Sequence, residues 1–302
     1  MEIKKWKRVG LGAVTLLSTV VLAACGNSSS SSASSSDEIN WFIPTEISTL
    51  DISKVTDTYS SIAIGNSGSN LLRRDEDGEL QPDLAEKVEV SDDGLTYTAT
   101  LRDDLKWSDG SDLTAEDFVY SWQRIVAPAT ASEYAYLVSD AHVLNAEEVI
   151  AGTKSVDELG VKADGNKLIF TLSAPSPQFM SLLSFANFMP QSKDFVEEAG
   201  DDYGTTSEKS LNSGQYTVED WNGTNGTFTL VKNKYYWDAK DVKTKKVNIQ
   251  TIKKPDTAVQ MYKDGDLDYA NISNTEATYK ANKNRDDVVD VPEATTAYMV
   301  YN

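Results

Sequence analysis

Hydrophobic and polar positions along this chain alternate in blocks, some with a period of two and others with a period of three to four. Residues 39–43 read Ile-Asn-Trp-Phe-Ile, a short strand that Pro44 ends. The spacing over 62–72 is helical, with Gly65, Ser67 and Gly68 as weak points. Asp75-Glu76-Asp77-Gly78 is a turn, and 82–87 suits one helical turn leading into a strand at Val88-Glu89-Val90. Asp92-Asp93-Gly94 then predicts a hairpin, because glycine takes the positive φ such turns need. In the strand that follows, Leu95, Tyr97, Ala99 and Leu101 face one way and Thr96, Thr98 and Thr100 the other. Ser108-Asp109-Gly110 turns the chain again.

Thr114, with Asp117 three positions on, gives a capping-box start to a helix. Phe118, Val119, Trp122, Ile125 and Val126 share one face of it, and Pro128 closes the segment. Asp164-Gly165 leads into a strand at 167–172, and Pro175-Ser176-Pro177 precedes a helical run rich in Phe and Leu at 179–185. A short helix at 194–199 is stopped by Gly200, and strands lie near 216–218 and 228–231. A helix at 257–263 ends at Gly265 and passes into a strand at 267–272. Helices and strands are interspersed with no repeat of fixed period, which predicts an α/β fold.

The first 37 residues follow none of these patterns. Lys4, Lys5, Lys7 and Arg8 precede an apolar stretch over 9–24, too short to span a bilayer comfortably. Leu22-Ala23-Ala24-Cys25 closes it and resembles the lipobox of bacterial lipoproteins. That resemblance implies cleavage before Cys25 and a lipid on its thiol. Residues 26–36 are nearly all serine, a composition that cannot bury enough surface to fold and predicts a flexible tether. The expectation is a leader over 1–24, a lipidated Cys25 with its tether over 25–37, and attachment to the outer face of a membrane.

Composition is that of a soluble globular chain, 40% hydrophobic and 25% charged, with a net charge of −19. Loss of Glu2 and the four leader cations makes the remainder more acidic still. Such acidity argues against nucleic acid or anionic lipid as a partner, since phosphate binding needs clustered Lys and Arg. Cys25 is the sole cysteine, so once it is lipidated there are no disulfides, thiolate chemistry or cysteine metal sites.

The block over 80–122 carries the most distinctive pattern. It contains Leu80-Gln81-Pro82-Asp83-Leu84-Ala85-Glu86-Lys87, Asp93-Gly94-Leu95-Thr96-Tyr97 and Leu101-Arg102-Asp103-Asp104-Leu105-Lys106-Trp107-Ser108-Asp109-Gly110. Leu113-Thr114-Ala115-Glu116-Asp117-Phe118-Val119-Tyr120-Ser121-Trp122 continues it. Lys232-Asn233-Lys234-Tyr235-Tyr236-Trp237-Asp238 and Tyr262-Lys263-Asp264-Gly265-Asp266-Leu267-Asp268 lie further on. Together these stretches resemble the substrate-binding lipoproteins of oligopeptide ABC transporters, the peptide-binding members of extracellular solute-binding family 5.

The resemblance implies an α/β class II periplasmic-binding-protein-like fold in which two lobes close on an extended peptide. The first lobe is expected from 38–68 and 194–302, interrupted by a small inserted second domain over 69–193. Peptide-binding residues implied by the resemblance are Thr56, Asp57, Thr58 and Tyr59 from the first lobe and Tyr134 from the inserted domain. Asn271, Ile272 and Ser273 are implied near the hinge. Recognition through main-chain hydrogen bonds would accept many side chains. The implied partners are an oligopeptide and a membrane ABC permease, with no cofactor and no nucleic acid. The protein is expected to be a monomer anchored by lipid on the extracellular face of a bacterial, Gram-positive membrane.

The family's members usually run much longer, and Ala297-Tyr298-Met299-Val300-Tyr301-Asn302 resembles the strand leading into the second large lobe. The fold is therefore expected to be incomplete, with that lobe missing. A micromolar ligand needs about 8 kcal/mol of binding free energy, and a cleft with one wall would fall well short of it. A non-binding remnant and a surface adhesion module on the same scaffold stand as alternatives. An enzyme is the weakest class. His142 is the sole histidine, no Gly-x-Ser-x-Gly elbow is present, and no His-x-x-x-His or calcium-loop spacing occurs, so neither catalytic nor metal residues are assigned.

Overall fold

The computed structural model describes residues 37–273 and 275–290. β1 (Glu38–Ile43) leads through an irregular loop to α1 (Thr58–Ser67), which starts where Asp57 Oδ1 accepts the Ser60 N–H at 2.8 Å. A small hairpin of β2 (Leu72–Arg74) and β3 (Leu80–Pro82) follows, then β4 (Ala85–Val90), β5 (Thr96–Leu101) and the long helix α2 (Ala115–Val126). Asp117 Oδ2 accepts the Thr114 N–H at 2.7 Å, so the expected capping box forms. The short helices α3 (Tyr136–Asp140) and α4 (Ala146–Ile150) precede β6 (Val161–Asp164) and β7 (Lys167–Thr171). Next come α5 (Phe179–Leu182), α6 (Lys193–Ala199), β8 (Tyr216–Glu219), β9 (Thr227–Lys232) and β10 (Lys246–Thr251). α7 (Pro255–Asp264) and α8 (Glu276–Asn282) end the described chain.

The long strands form two four-stranded sheets. In the first, of order β1-β10-β9-β8, β1 lies parallel to β10 and the other pairs are antiparallel. Its register sets Trp41 opposite Ile249 and Ile249 opposite Phe228, so period-two alternation stacks apolar residues on one face. That face covers a core of Ile47, Leu50, Val55, Ile64 and Trp221. The second sheet, β4-β5-β7-β6, is antiparallel throughout. Tyr97, Ala99 and Leu101 point inward from β5 as the alternation predicts. They meet Phe118, Trp122 and Ile125 of α2, together with Phe170, Phe179 and Phe188.

Four expectations need correction. The first helix begins at Thr58, four residues before its predicted start, because the Asp57 cap outweighs the apolar spacing, and Leu72 belongs to β2. Residues 82–87 make no helical turn; Asp83 and Ala85 donate their N–H groups to Leu71 O, so tertiary pairing overrides local propensity and β4 starts at Ala85. The run at 179–185 is helical only to Leu182, with a separate turn of 3₁₀ helix at Ala186–Phe188. Residues 267–272 form no assigned strand, although Asp268 follows the edge of β1: its N–H donates to Asn40 O at 2.9 Å and its Oδ2 accepts the Asn40 N–H at 2.7 Å.

A buried polar network joins the two sheets' cores. Arg124 of α2 donates Nη1 and Nη2 to the two carboxylate oxygens of Asp51 at 2.6 and 2.8 Å, and Nη1 also reaches Gln191 Oε1 at 2.8 Å. Gln191 Nε2 in turn donates to Ser53 Oγ and Ser121 Oγ. The loop after β1 is thereby fastened to α2. Gly204 closes the loop from the other side, its own N–H donating to Lys209 O at 2.8 Å. At φ +74, a Cβ there would lie 2.2 Å from Asp51 N, and its carbonyl accepts the Leu50 N–H.

Candidate functional site

The loop that this network fastens ends in Thr56, Asp57, Thr58 and Tyr59. Thr56 and Thr58 are exposed, while Tyr59 is half-buried against the first sheet's core. Asp57 is doubly used: one oxygen caps α1, and the other accepts from Ser48 Oγ at 2.6 Å. Burial pushes its carboxyl up, but the hydrogen bonds from Ser48 and Ser60 outweigh that and hold it below the ordinary carboxylate value. Asp57 is thus an anion whose charge is already spent on its own loop.

Tyr134 precedes α3 and packs edge-on against Phe185, with ring centroids 5.5 Å apart. Phe185 is 38% exposed and Tyr136 is 52% exposed, an aromatic surface beside a well-filled core. Phe185 is held from behind, since its carbonyl accepts Asn70 Nδ2 at 2.8 Å. Two residues on, buried Asn187 donates Nδ2 to Ile52 O at 2.9 Å and to Val55 O at 3.1 Å. The short run 185–187 therefore carries the aromatic wall at one end and grips the residue before Thr56 at the other. The structure brings the 56–59 loop and Tyr134 onto one scaffold through it. Phe185 and Asn187 were not singled out in the sequence. In the sequence Phe185 reads only as the last residue of a helical run.

Asn271, Ile272 and Ser273 belong to the segment beside β1. Asn271 Oδ1 accepts from Ser273 N–H at 2.8 Å and from Ser273 Oγ at 2.7 Å, an Asx turn. Just before it, Tyr269 stacks on Trp41 at 3.9 Å with rings 1° from parallel. Asp268 on Asn40 and Tyr269 on Trp41 advance in the same direction along β1. Cys25 and the 297–302 stretch lie outside the described residues.

His142 is exposed at φ +61, and it is its carbonyl, not its ring, that meets Ser173. No cluster of three or more His, Cys, Asp or Glu that could hold a metal occurs among the described residues, and no helix there is long and apolar enough to cross a membrane. A separate open trough of about 520 Å³, lined by Thr206, Glu208, Glu219, Asp220, Trp221 and Asn222 among others, contains none of the predicted residues.

Residues 79–302 match the model of the bacterial extracellular solute-binding proteins, family 5. The chain is 40% identical over 303 residues to the dipeptide-binding protein of Lactococcus lactis subsp. cremoris, covering 99% of this chain and 54% of that protein. It is 34% identical to the oligopeptide-binding protein OppA of Bacillus subtilis, over 88% of this chain and 49% of the relative. The solved structure of Listeria monocytogenes OppA bound to peptide superposes with a TM-score of 0.80 at 36% identity, covering 83% of this chain and 49% of that one. The chain spans about half the length of the curated relatives it matches.

Proposed function

We propose a peptide-binding role from a plain premise: this chain belongs to the bacterial extracellular solute-binding proteins of family 5. Members of that family bind solutes and are not enzymes. The ligand proposed is an oligopeptide in extended form, taken up on the surface formed by the 56–59 loop, Tyr134 with Phe185, and Asn271, Ile272 and Ser273. The protein delivers it to an ABC permease. Lipid on Cys25 holds the chain at the extracellular face of the membrane. The division into a first lobe of 38–68 and 194–302 and an inserted domain of 69–193 belongs to the same reading.

The observation that carries it is the Asn187 clamp. It ties an exposed loop with free threonine hydroxyls to the exposed Phe185 and its half-buried partner Tyr134, giving polar groups for a ligand's main chain and a face for its side chains. Because Asp57 already serves Ser48 and Ser60, recognition rests on neutral groups, which suits ligands of varied charge.

Isothermal titration with a mixed library of two- to eight-residue peptides tests this. Binding that Tyr134→Ala weakens at least tenfold is expected. A chain that ignores peptides but binds a sugar or an organic anion would refute it. Mass spectrometry of the Cys25 peptide from the native host tests the anchor separately.

A further inference from the structure

We infer that the lysine-rich end of the first sheet is a contact surface for anionic lipid headgroups. Taken as a whole, the chain's net charge of −19 argues against such a partner. Its distribution argues otherwise. Residues 232–246 hold Lys232, Lys234, Lys240, Lys243, Lys245 and Lys246 against two acids, Asp238 and Asp241.

The fold gathers these lysines at one place. Lys232 ends β9, and Lys246 begins β10 directly opposite Glu38, which begins β1. The turn between β9 and β10 carries the others. Lys245 is consumed locally, its Nζ 2.6 Å from Asp37, and Lys232 donates to Val242 O. Lys240 has only the loose company of Asp241 at 3.9 Å, and Lys234 lies over the Tyr235 ring. Among the described residues Lys243 and Lys246 make no ion pair. The acids on or against this end include Asp37, already matched with Lys245, Glu38, Asp238, Asp241 and Asp268 on Asn40, while Asp83, bonded to Tyr236 and Trp237, is buried.

A second observation selects the partner. Asp37 is where the chain enters the sheet, and eleven residues separate it from Cys25. A serine-rich chain of that length spans roughly 20 Å. The inference rests here on the reading that Cys25 is lipidated: the anchor then keeps this end, and not the distant one, near the bilayer. Each lysine brought to an anionic surface favours contact about fivefold. At 0.1 M salt charge acts over roughly 10 Å, so the local balance at this end weighs more than the net charge of the whole chain.

The consequence is orientation. β1 leaves the lysine end and rises about 20 Å before its chain turns into the 44–57 loop. With the lysines on the membrane, the candidate peptide surface faces the medium, poised for capture. Delivery to a permease would then require the contact to break, and a contact of a few lysines, Lys240 and Lys243 exposed and Lys246 half-buried, is weak enough to do so.

Among the described residues the buried cores begin at Phe42, so the test uses the chain without residues 1–24. Coupled through Cys25, its only cysteine, to maleimide lipid in vesicles, it is anchored whether or not the native thiol carries lipid. Amine labelling with a water-soluble ester, read by mass spectrometry, compares Lys240, Lys243 and Lys246 with Lys162 and Lys167 of the second sheet. On vesicles with one-third phosphatidylglycerol at 20 mM salt, the first three should label at least threefold more slowly than on phosphatidylcholine alone, while the reference lysines stay unchanged. Salt at 0.5 M should abolish the difference, and K243Q/K246Q should restore labelling of Lys240. An unchanged ratio, or equal slowing at all five lysines, overturns the inference. Absence of lipid on the native Cys25 would instead overturn the anchored reading and leave the labelling result standing.

Discussion

The two sheets of this protein are alike in size and opposite in construction. The β4-β5-β7-β6 sheet pairs strands antiparallel, with the hairpin turns between β4 and β5 and between β6 and β7 closed locally, and it covers a core of thirty buried residues that includes Trp107, Trp122, Phe118 and Phe179. The β1-β10-β9-β8 sheet must pair β1 with a strand some two hundred positions away, and its core has fourteen such residues. One region stores its stability in dense aromatic packing. The other depends on distant partners and on the polar junction that ties it to the first. The 56–59 loop of the candidate site grows from the less self-sufficient region, where loops are fastened by hydrogen bonds instead of packed solid, while Tyr134 comes from the aromatic-rich one.

The sharpest way to break this contrast is Trp122→Ala. Trp122 is fully buried, with Phe188 at 4.6 Å and Phe170 at 4.8 Å between centroids. Its truncation should cost about 4 kcal/mol, seen as a lower denaturant midpoint. A loss under about 1 kcal/mol would mean the aromatic core is not what holds this region.

Next in size is Asp51→Ala, which leaves the Arg124 guanidinium buried without its carboxylate. A broken buried pair costs about 3 kcal/mol, and here the loss falls on the junction. Two separate unfolding transitions should replace one, with the β1-containing region melting first. A single transition shifted as a whole would show that the regions are coupled by packing alone.

This difference in construction also explains what the sequence disclosed. The β5 alternation, the Thr114–Asp117 cap and the Phe118-to-Val126 face were legible because each is decided within a dozen residues. The parallel pairing of β1 with β10 left no local trace, and neither did the Asn187 clamp, whose acceptors are backbone carbonyls of Ile52 and Val55. At 267–272 the local pattern favoured a strand, but Asp268 meets β1 through a side-chain oxygen as well as its backbone, so no ladder forms. Of the candidate site, the family resemblance supplied Tyr134 and the 56–59 loop, while Phe185 needed the fold to bring it beside Tyr134.

A smaller effect separates scaffold from site in the weaker region. Asp57→Ala removes the α1 cap and should cost about 1 kcal/mol, whereas Asp57→Asn, which keeps an acceptor oxygen, should cost a few tenths. Because the carboxyl is held below its ordinary value, its contribution is present above the ordinary carboxylate range and lost as pH falls through the folded value. Peptide affinity that fell with Asp57→Asn while the melting temperature held would show a direct charge contact with the ligand.

The smallest effect, and the one that joins the two regions, concerns Asp83. This residue enters β4 from the aromatic-rich region, yet its Oδ1 accepts Trp237 Nε1 at 2.9 Å and Tyr236 Oη at 3.2 Å, both following β9. Arg102 adds to the contact, its guanidinium 3.7 Å above the Trp237 ring. Burial raises the Asp83 carboxyl above its ordinary 3.8, against the hydrogen bonds that favour the anion. A raised acid holds its proton more tightly when folded, so its contribution is complete below the ordinary value and is lost as pH rises through the folded one. Asp83→Asn presents the same oxygen to both donors and never ionises. Asp57 and Asp117 titrate alike in both proteins and cancel from the comparison. The stability of the variant relative to the parent, from urea unfolding at several pH values, should therefore climb between pH 3.5 and 7. A difference that stays flat would mean Asp83 remains hydrated enough to behave as a surface acid, and the two regions would then meet across water and not across a dry hydrogen bond.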